Sequence, residues 1–298
     1  MINSYKIAAI YTTFNPGSGF GTRICDVVKC CAVTIVVDNT PGGFSFRADD
    51  IGGIILLQDG RNKGLGAAIN IGINEAVRQG CNVVVLFDQD SSPRSDFISV
   101  LLNQLSTMDP RSIIGPTLLD DENILTETIS PFSSQSIVLR EEVTCIATSG
   151  MCFRVDSLEL HDRFTEDFFL DFVDFDWCWR MRSKGWRVFR LTSLKMPHRL
   201  GLGQRRLLGL TYHIPSPFRH YFQFRDTLKL IKLSYVPLYS RLRLLAILPP
   251  KIIVYPFLLD HGLERLKWML KGVRDAFFNV QGIGAATAKL EGKIDIKT

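Results

Sequence analysis

The chain has 298 residues, 46% hydrophobic and 22% charged, with a formal net charge of +5. That balance allows a sizeable core and excludes collagen-like and disordered classes. The positive surplus is too small to argue for nucleic acid, and no DNA- or RNA-binding signature accompanies it.

Residues 6–12 read as a first strand, closed by a turn at Asn15, Pro16 and Gly17. A short helix over 23–31 precedes a strand over 33–38, which ends in Asp38 and a Gly-rich turn. Residues 54–58 make a third strand. Asn62 to Asn70 opens a helix that runs to about Gln79. Five apolar residues, Val83 to Phe87, read as a buried fourth strand that stops at Asp88-Gln89-Asp90. A helix over 96–107 follows, then an irregular segment from Ile113 and a polar, Ser/Thr-rich loop over 120–136. Residues 142–155 are strand-like, 167–184 a loop running into a helix, and 188–191 a strand. From Tyr212 the pattern is helical and basic. Strands alternating with helices predict an α/β fold with a parallel sheet.

Seven cysteines without a Cys-X-X-Cys pair fit a reduced cytosolic chain better than a disulfide framework. The chain opens without a basic-then-apolar leader, and no apolar run reaches the roughly 18 residues of a transmembrane helix. The nearest candidate, residues 244–259, is interrupted by Pro249, Pro250, Lys251 and Pro256.

Candidate chemistry gathers at the strand ends. Asp88 and Asp90 lie on one side if strand geometry persists, where two carboxylates suit a divalent cation and the cation a diphosphate. The same residues also suit a solvated turn. Asp38 can accept the N3–H of a pyrimidine, with Thr12 and Asn15 nearby, or simply form its turn. Asn62, Gly64, Gly66 and Asn70 allow close backbone approach at a helix N-terminus, which favours an anion or a tight helix start. Asp171, Asp174 and Asp176 sit among large aromatics, the setting of a general base, and Asp174 also suits a helix N-cap. His198, after Pro197, is a candidate third metal ligand or a structural histidine.

In this order the pieces resemble the family 2 inverting glycosyltransferases of the GT-A fold. They are Thr12-X-X-Asn15, VVDN (around 35–39), NKGLGAAIN (62–70), LFDQDSSP (86–93), TSGMCFR (148–154), FLDFVDFDWCWRMRSKGW (169–186) and PHRLG (197–201). RHYFQFRD (219–226) is similar to a segment of bacterial rhamnosyltransferases that use dTDP-rhamnose in O-antigen or capsule assembly. The resemblance runs from residue 5 to about 280.

It implies a catalytic domain over 1–205, with nucleotide-sugar binding in about 1–115 and the acceptor and base part in about 116–205. A helical C-terminal region over 206–298 follows. Thr12, Asn15 and Asp38 would hold the nucleoside, and Asn62, Gly64 and Asn70 would line the donor pocket. Asp88 would meet ribose or metal, Asp90 would bind Mg²⁺ or Mn²⁺, and His198 would join that shell. Asp174 would be the base, with Asp176 orienting it and Arg180 as structural partner. Val173 stands where many relatives have Glu, which keeps Asp171 as a fallback base, and Asp226 stands where relatives have Asn. The implied donor is dTDP-rhamnose, or a UDP-sugar on the same mechanism, and the implied acceptor a glycan or lipid-linked glycan. A non-catalytic binding subunit on the same scaffold is the competing class. Basic residues interleaved with aromatics and leucines over 219–274 fit the cytoplasmic face of an anionic membrane, a homo-oligomer interface or a solvated helix face.

Overall fold

The computed structural model describes residues 5–44, 53–119, 138–197, 204–207, 210–213 and 215–284. The first half alternates β1 (Ile7–Thr13), α1 (Phe20–Cys30), β2 (Val33–Asp38), β3 (Ile54–Gln58), α2 (Leu65–Arg78), β4 (Val83–Asp88) and α3 (Phe97–Ser106). Then come β5 (Ser112–Leu119), β6 (Arg140–Glu142), β7 (Cys152–Arg154), α4 (Val173–Ser183) and β8 (Arg187–Pro197). A hairpin of β9 (Gln204–Leu207) and β10 (Leu210–His213) precedes α5 (Arg219–Leu230), α6 (Leu238–Leu258) and α7 (Gly262–Phe277).

Eight strands form one sheet in the order β3-β2-β1-β4-β7-β5-β8-β6. The first four in that order are parallel, and β5 is parallel to β8. The sheet is mixed because β7 runs antiparallel to both β4 and β5, and β6 antiparallel to β8 at the edge. Alternation along the strands splits the core into two layers. Ala8, Ile10, Ile35, Val37, Val84 and Leu86 face α2 and α4. Ala9, Tyr11, Val36, Val85 and Phe87 face α1 and α3, where Tyr11 stacks on Phe87 at 5.0 Å.

Several expectations give way. The segment from Ile113 is not irregular: β5 runs through Gly115 and Pro116, with a register shift at Pro116/Thr117 that accommodates the proline. Residues 142–155 are not one strand but β6 at the edge and β7 in the centre. β8 is longer than 188–191. Tyr212 lies in a hairpin, so regular helix resumes only at Arg219. The prolines do not interrupt α6, which continues past Pro249, Pro250 and Pro256. The loop expected over 120–136 lies outside the described residues. No described helix is long and apolar enough to cross a membrane.

Candidate active site

The carboxyl ends of β2, β1 and β4 lie side by side, the edge at which open α/β sheets bind ligands. Thr13 pairs with Asp38, and Thr12 with Asp88. By strand alternation Asp38 belongs to the α1/α3 layer and Asp88 to the α2/α4 layer. Asp38 is buried, and its Oδ1 accepts from Thr13 Oγ1 at 2.8 Å and Thr40 Oγ1 at 2.7 Å. Its Oδ2 is buried without a hydrogen-bond partner among the described residues. An unsatisfied buried acceptor is costly, so this oxygen suits an N–H brought by a ligand. The hydroxyl beside Asp38 is thus Thr13, not Thr12, which register places opposite Asp88. Asn15 contributes its backbone N–H, donated to Thr40 Oγ1 at 2.8 Å, while its side chain is exposed.

Strand geometry stops at Asp88. The Ser91 N–H donates to the Asp88 carbonyl at 3.1 Å, and the Ser91 hydroxyl meets Ser149 Oγ at 2.6 Å. Gln89 Oε1 accepts from the Phe14 N–H at 2.8 Å, which ties this turn to the end of β1. Asp90 therefore sits in a turn, and the geometry that would align it with Asp88 is not present. His198 lies outside the described residues. Among the described residues no group of three or more His, Cys, Asp or Glu could hold a metal. Two carboxylates fit Mg²⁺ or Mn²⁺, which bind through one or two carboxylates plus phosphate and water oxygens, and do not fit an all-protein cage.

The start of α2 packs closely against the loop over 164–171. Gly64 has φ +86°, and a Cβ there would come within 2.8 Å of Phe169. A Cβ on Gly66 would come within 2.6 Å of the Thr165 carbonyl. The Leu65 N–H, at the helix N-terminus, donates to the Phe169 carbonyl at 2.8 Å. Asn62 Oδ1 accepts from the Gly64 N–H at 3.0 Å, and Asn39 Nδ2 donates to the Gly64 carbonyl at 3.1 Å. Asn70 is buried, donating to the Phe164 carbonyl at 2.9 Å and Glu166 Oε1 at 3.0 Å, and accepting from the Phe164 N–H at 2.9 Å. Gly64 and Asn70, expected to line a donor pocket, both hold the loop over 164–171 against α2.

That loop delivers the acids. It ends at Phe172, a non-glycine residue at φ +67°, a strained conformation that sets the start of α4. Phe172, not Asp174, is the N-cap residue, and Asp174 lies in the first helical turn. Its Oδ1 accepts from the Phe175 N–H at 2.9 Å. Asp174 keeps some exposed surface, yet surrounding protein desolvates it enough to push its pKa up to about 6. The Asp88 and Asp171 carboxylates push the same way, and its backbone hydrogen bonds oppose. The Asp88 carboxylate at the end of β4 thus lies within Coulombic reach of Asp174 at the start of α4.

Both neighbouring acids have cationic or hydroxyl partners. Asp171 Oδ1 accepts from Arg219 Nε at 3.0 Å and Nη2 at 2.8 Å. Asp176 is fully buried, accepts from the Tyr235 hydroxyl, and lies 3.7 Å from Arg180 Nη2. Arg180 Nη2 in turn donates to the Arg163 carbonyl at 2.6 Å. Asp176, expected among the catalytic residues as the group that orients the site, is enclosed between Tyr235 and Arg180. Arg219, Tyr235, Thr13, Thr40 and Gln89 escaped the sequence reading. Only Thr13 left a signal, since strand pairing puts it opposite Asp38.

The family described as Glycosyl transferase family 2 matches residues 31–160. The chain is 29% identical over 252 residues to the dTDP-rhamnosyl transferase RfbF of Shigella flexneri, covering 80% of this chain and 84% of that one. Among solved structures it is similar to S. aureus TarS 1–349 in complex with UDP-GlcNAc, at TM-score 0.55 and 14% identity, covering 91% of this chain and 80% of that one. It is also similar to GalNAc-T7 with UDP, GalNAc and Mn2+, at TM-score 0.52 and 12% identity. There the match covers 92% of this chain and spans 57% of that protein's length. Residues 31–160 are thus similar to glycosyl transferase family 2, within an α/β fold that has a helical C-terminal region and is shared with these solved structures.

Proposed function

We propose that the chain transfers L-rhamnose from dTDP-L-rhamnose to a sugar hydroxyl of a growing, lipid-linked cell-surface polysaccharide, with inversion at the anomeric carbon. The observation that carries this reading is Asp174 at the start of α4, within Coulombic reach of Asp88 at the end of β4 and pushed up to about 6. An acid so placed is poised to take a proton near neutral pH. The 29% identity to a dTDP-rhamnosyl transferase supports the donor.

In this mechanism Asp38 Oδ2 accepts the N3–H of the pyrimidine, while Thr13 and Thr40 hold the carboxylate in place. Asp88 and Asp90 would hold a divalent cation, which would supply positive charge against the leaving diphosphate. Asp174 removes the proton of the acceptor hydroxyl as that oxygen attacks the anomeric carbon. The bond to the nucleoside diphosphate breaks in the same displacement, so no covalent enzyme intermediate forms. In this reading Asp171 is set aside because its Oδ1 is engaged by two hydrogen bonds from Arg219.

A UDP-sugar donor is the second reading, supported by the UDP and UDP-GlcNAc held by the two structural neighbours. Asp38 does not separate the two, because thymine and uracil present the same N3–H.

Thermal unfolding of the purified chain with Mn²⁺ and dTDP, UDP, GDP, CDP or dTDP-rhamnose tests the proposal. Ligand at about 100 times its Kd stabilises by about 2.7 kcal/mol. The largest metal-dependent shift is expected with dTDP and dTDP-rhamnose. A larger shift with UDP replaces the donor, and no shift with any nucleotide overturns the enzyme reading in favour of a binding subunit.

A further inference from the structure

Helix α6 is built the wrong way round for a surface helix. Such a helix normally turns an apolar stripe inward and polar residues outward. Of the 21 residues in α6 only Leu248 is buried, against Phe224 and Met269. Tyr239, Leu242, Ile253 and Phe257 recur at helical spacing on the opposite side, 76%, 59%, 65% and 85% exposed. Ala246, Pro249 and Pro250 fill the gaps between them and are also exposed. The outward face is therefore a continuous apolar strip roughly 30 Å long. α6 contains no Asp or Glu, but carries Arg241, Arg243 and Lys251.

We propose that the outward face of α6 lies on an anionic phospholipid bilayer. An apolar face with the exposed Arg243 beside it, on a helix free of acids, matches a boundary of acyl chains and negative headgroups. A bilayer fits better than a second copy of the chain. In a symmetric dimer the strip would meet itself and desolvate the Arg243 of each copy with no acid on either α6 to pair it. Three cations and three prolines keep α6 at the surface rather than across the membrane. On its inner side Lys251 Nζ lies 3.5 Å from Gln223 Oε1 and within Coulombic reach of Asp171. The lipid-facing helix therefore backs onto the loop that delivers Asp174. This inference rests on the proposed function in one respect, that a lipid-linked acceptor would be presented where α6 touches the bilayer.

Co-sedimentation of the full chain with vesicles tests it, with no sugar nucleotide present. Vesicles of phosphatidylcholine plus phosphatidylglycerol should pellet the protein, phosphatidylcholine alone should bind it at least about tenfold more weakly, and added salt should release it. The triple variant Leu242→Ser, Ile253→Ser, Phe257→Ser should lose binding by about 100-fold or more. Its nucleotide-induced thermal shift should equal that of the unaltered chain, which shows that it folds. The proposal is overturned if the unaltered chain stays in the supernatant with phosphatidylglycerol vesicles, or if the triple variant binds as well. It is equally overturned if light scattering shows a dimer that the triple variant converts to monomer. Vesicle binding and the activity of Asp174→Asn are independent readouts, so failure of the lipid surface and failure of the chemistry are told apart.

Discussion

Helices α5 and α6 are neighbours in the chain and opposites in construction. α5 hides polar residues: His220, Arg225, Asp226 and Lys229 are all buried. α6 exposes apolar ones. Buried charge is tolerated only when paired, and α5 meets that condition by gripping the loop before Asp174. Arg219 holds Asp171, Phe222 stacks on Phe169 at 5.0 Å, and Lys229 holds Asp167 Oδ2 at 2.9 Å. Arg225 donates to Asp226 Oδ1 at 2.6 Å and also reaches the Gly282 and Asp167 carbonyls. His220 meets Arg265 at 3.0 Å, and burial with that guanidinium lowers its pKa to about 3, so it stays neutral. The difference teaches that the C-terminal helices divide two tasks: α5 holds the loop before Asp174 from within, and α6 offers a surface to the outside.

Asp174→Asn tests this division most strongly. It should lower kcat for transfer from dTDP-rhamnose by about 10²–10⁴-fold, with donor binding and vesicle binding kept. Unchanged turnover would place the base elsewhere and leave α5 as a scaffold only. Next, Arg225→Met breaks the buried cluster of α5 and should cost about 3–5 kcal/mol in urea unfolding at neutral pH.

A third test uses pH. Burial pushes the Asp226 carboxyl up to about 7, against the opposing pull of Arg225. The folded state therefore binds this proton more tightly than the unfolded chain does. Its contribution to stability is full below about pH 4, falls as pH rises through about 7, and stays low above. Asp226→Asn should flatten this part of the profile, changing the unfolding free energy difference between pH 4 and 8 by roughly 2–4 kcal/mol. Equal slopes in the two proteins would show that Asp226 titrates normally.

Arg219→Gln should lower kcat about 10–100-fold with the donor KM unchanged, since it loosens the base loop without touching the nucleotide edge. Arg219→Lys should recover part of the loss, whereas a drop in donor affinity alone would contradict a positioning role. The smallest effect belongs to α6, where Leu242→Ser, Ile253→Ser and Phe257→Ser should each change stability by no more than about 0.5 kcal/mol. A larger cost would mean that this face is packed within the folded chain.

Where a pattern is local, the sequence was enough. β1 to β4, α2 and α3 follow from apolar runs ended by Gly, Pro or Asp, and their strand ends carry Asp38 and Asp88 as read. The α/β class followed from the alternation alone, and the ordered motifs pointed to the family. The second half of the sheet did not follow, because three residues suffice for β7 once β4 and β5 pair with it from both sides. Nor did the fate of the glycines: Gly64 and Gly66 signal a close approach, but only the fold shows that Phe169 and Thr165 make it. The partners of the acids were equally hidden. Arg219 lies 48 residues beyond Asp171 and Tyr235 lies 59 beyond Asp176, separations at which no periodicity survives.

Sequence by itself determined which segments become strands and helices in the first half, and which acids end the strands. Those outcomes depend on neighbours a few residues away, through pleat, helical period and turn chemistry. Tertiary structure alone decided that Asp171 is paired, Asp176 enclosed and Asp174 left half-exposed near Asp88. It also decided that the polar helix lies inside and the apolar one outside. Burial and charge pairing are set by what the folded chain brings into contact, and identical carboxylates acquire different chemistry from those contacts.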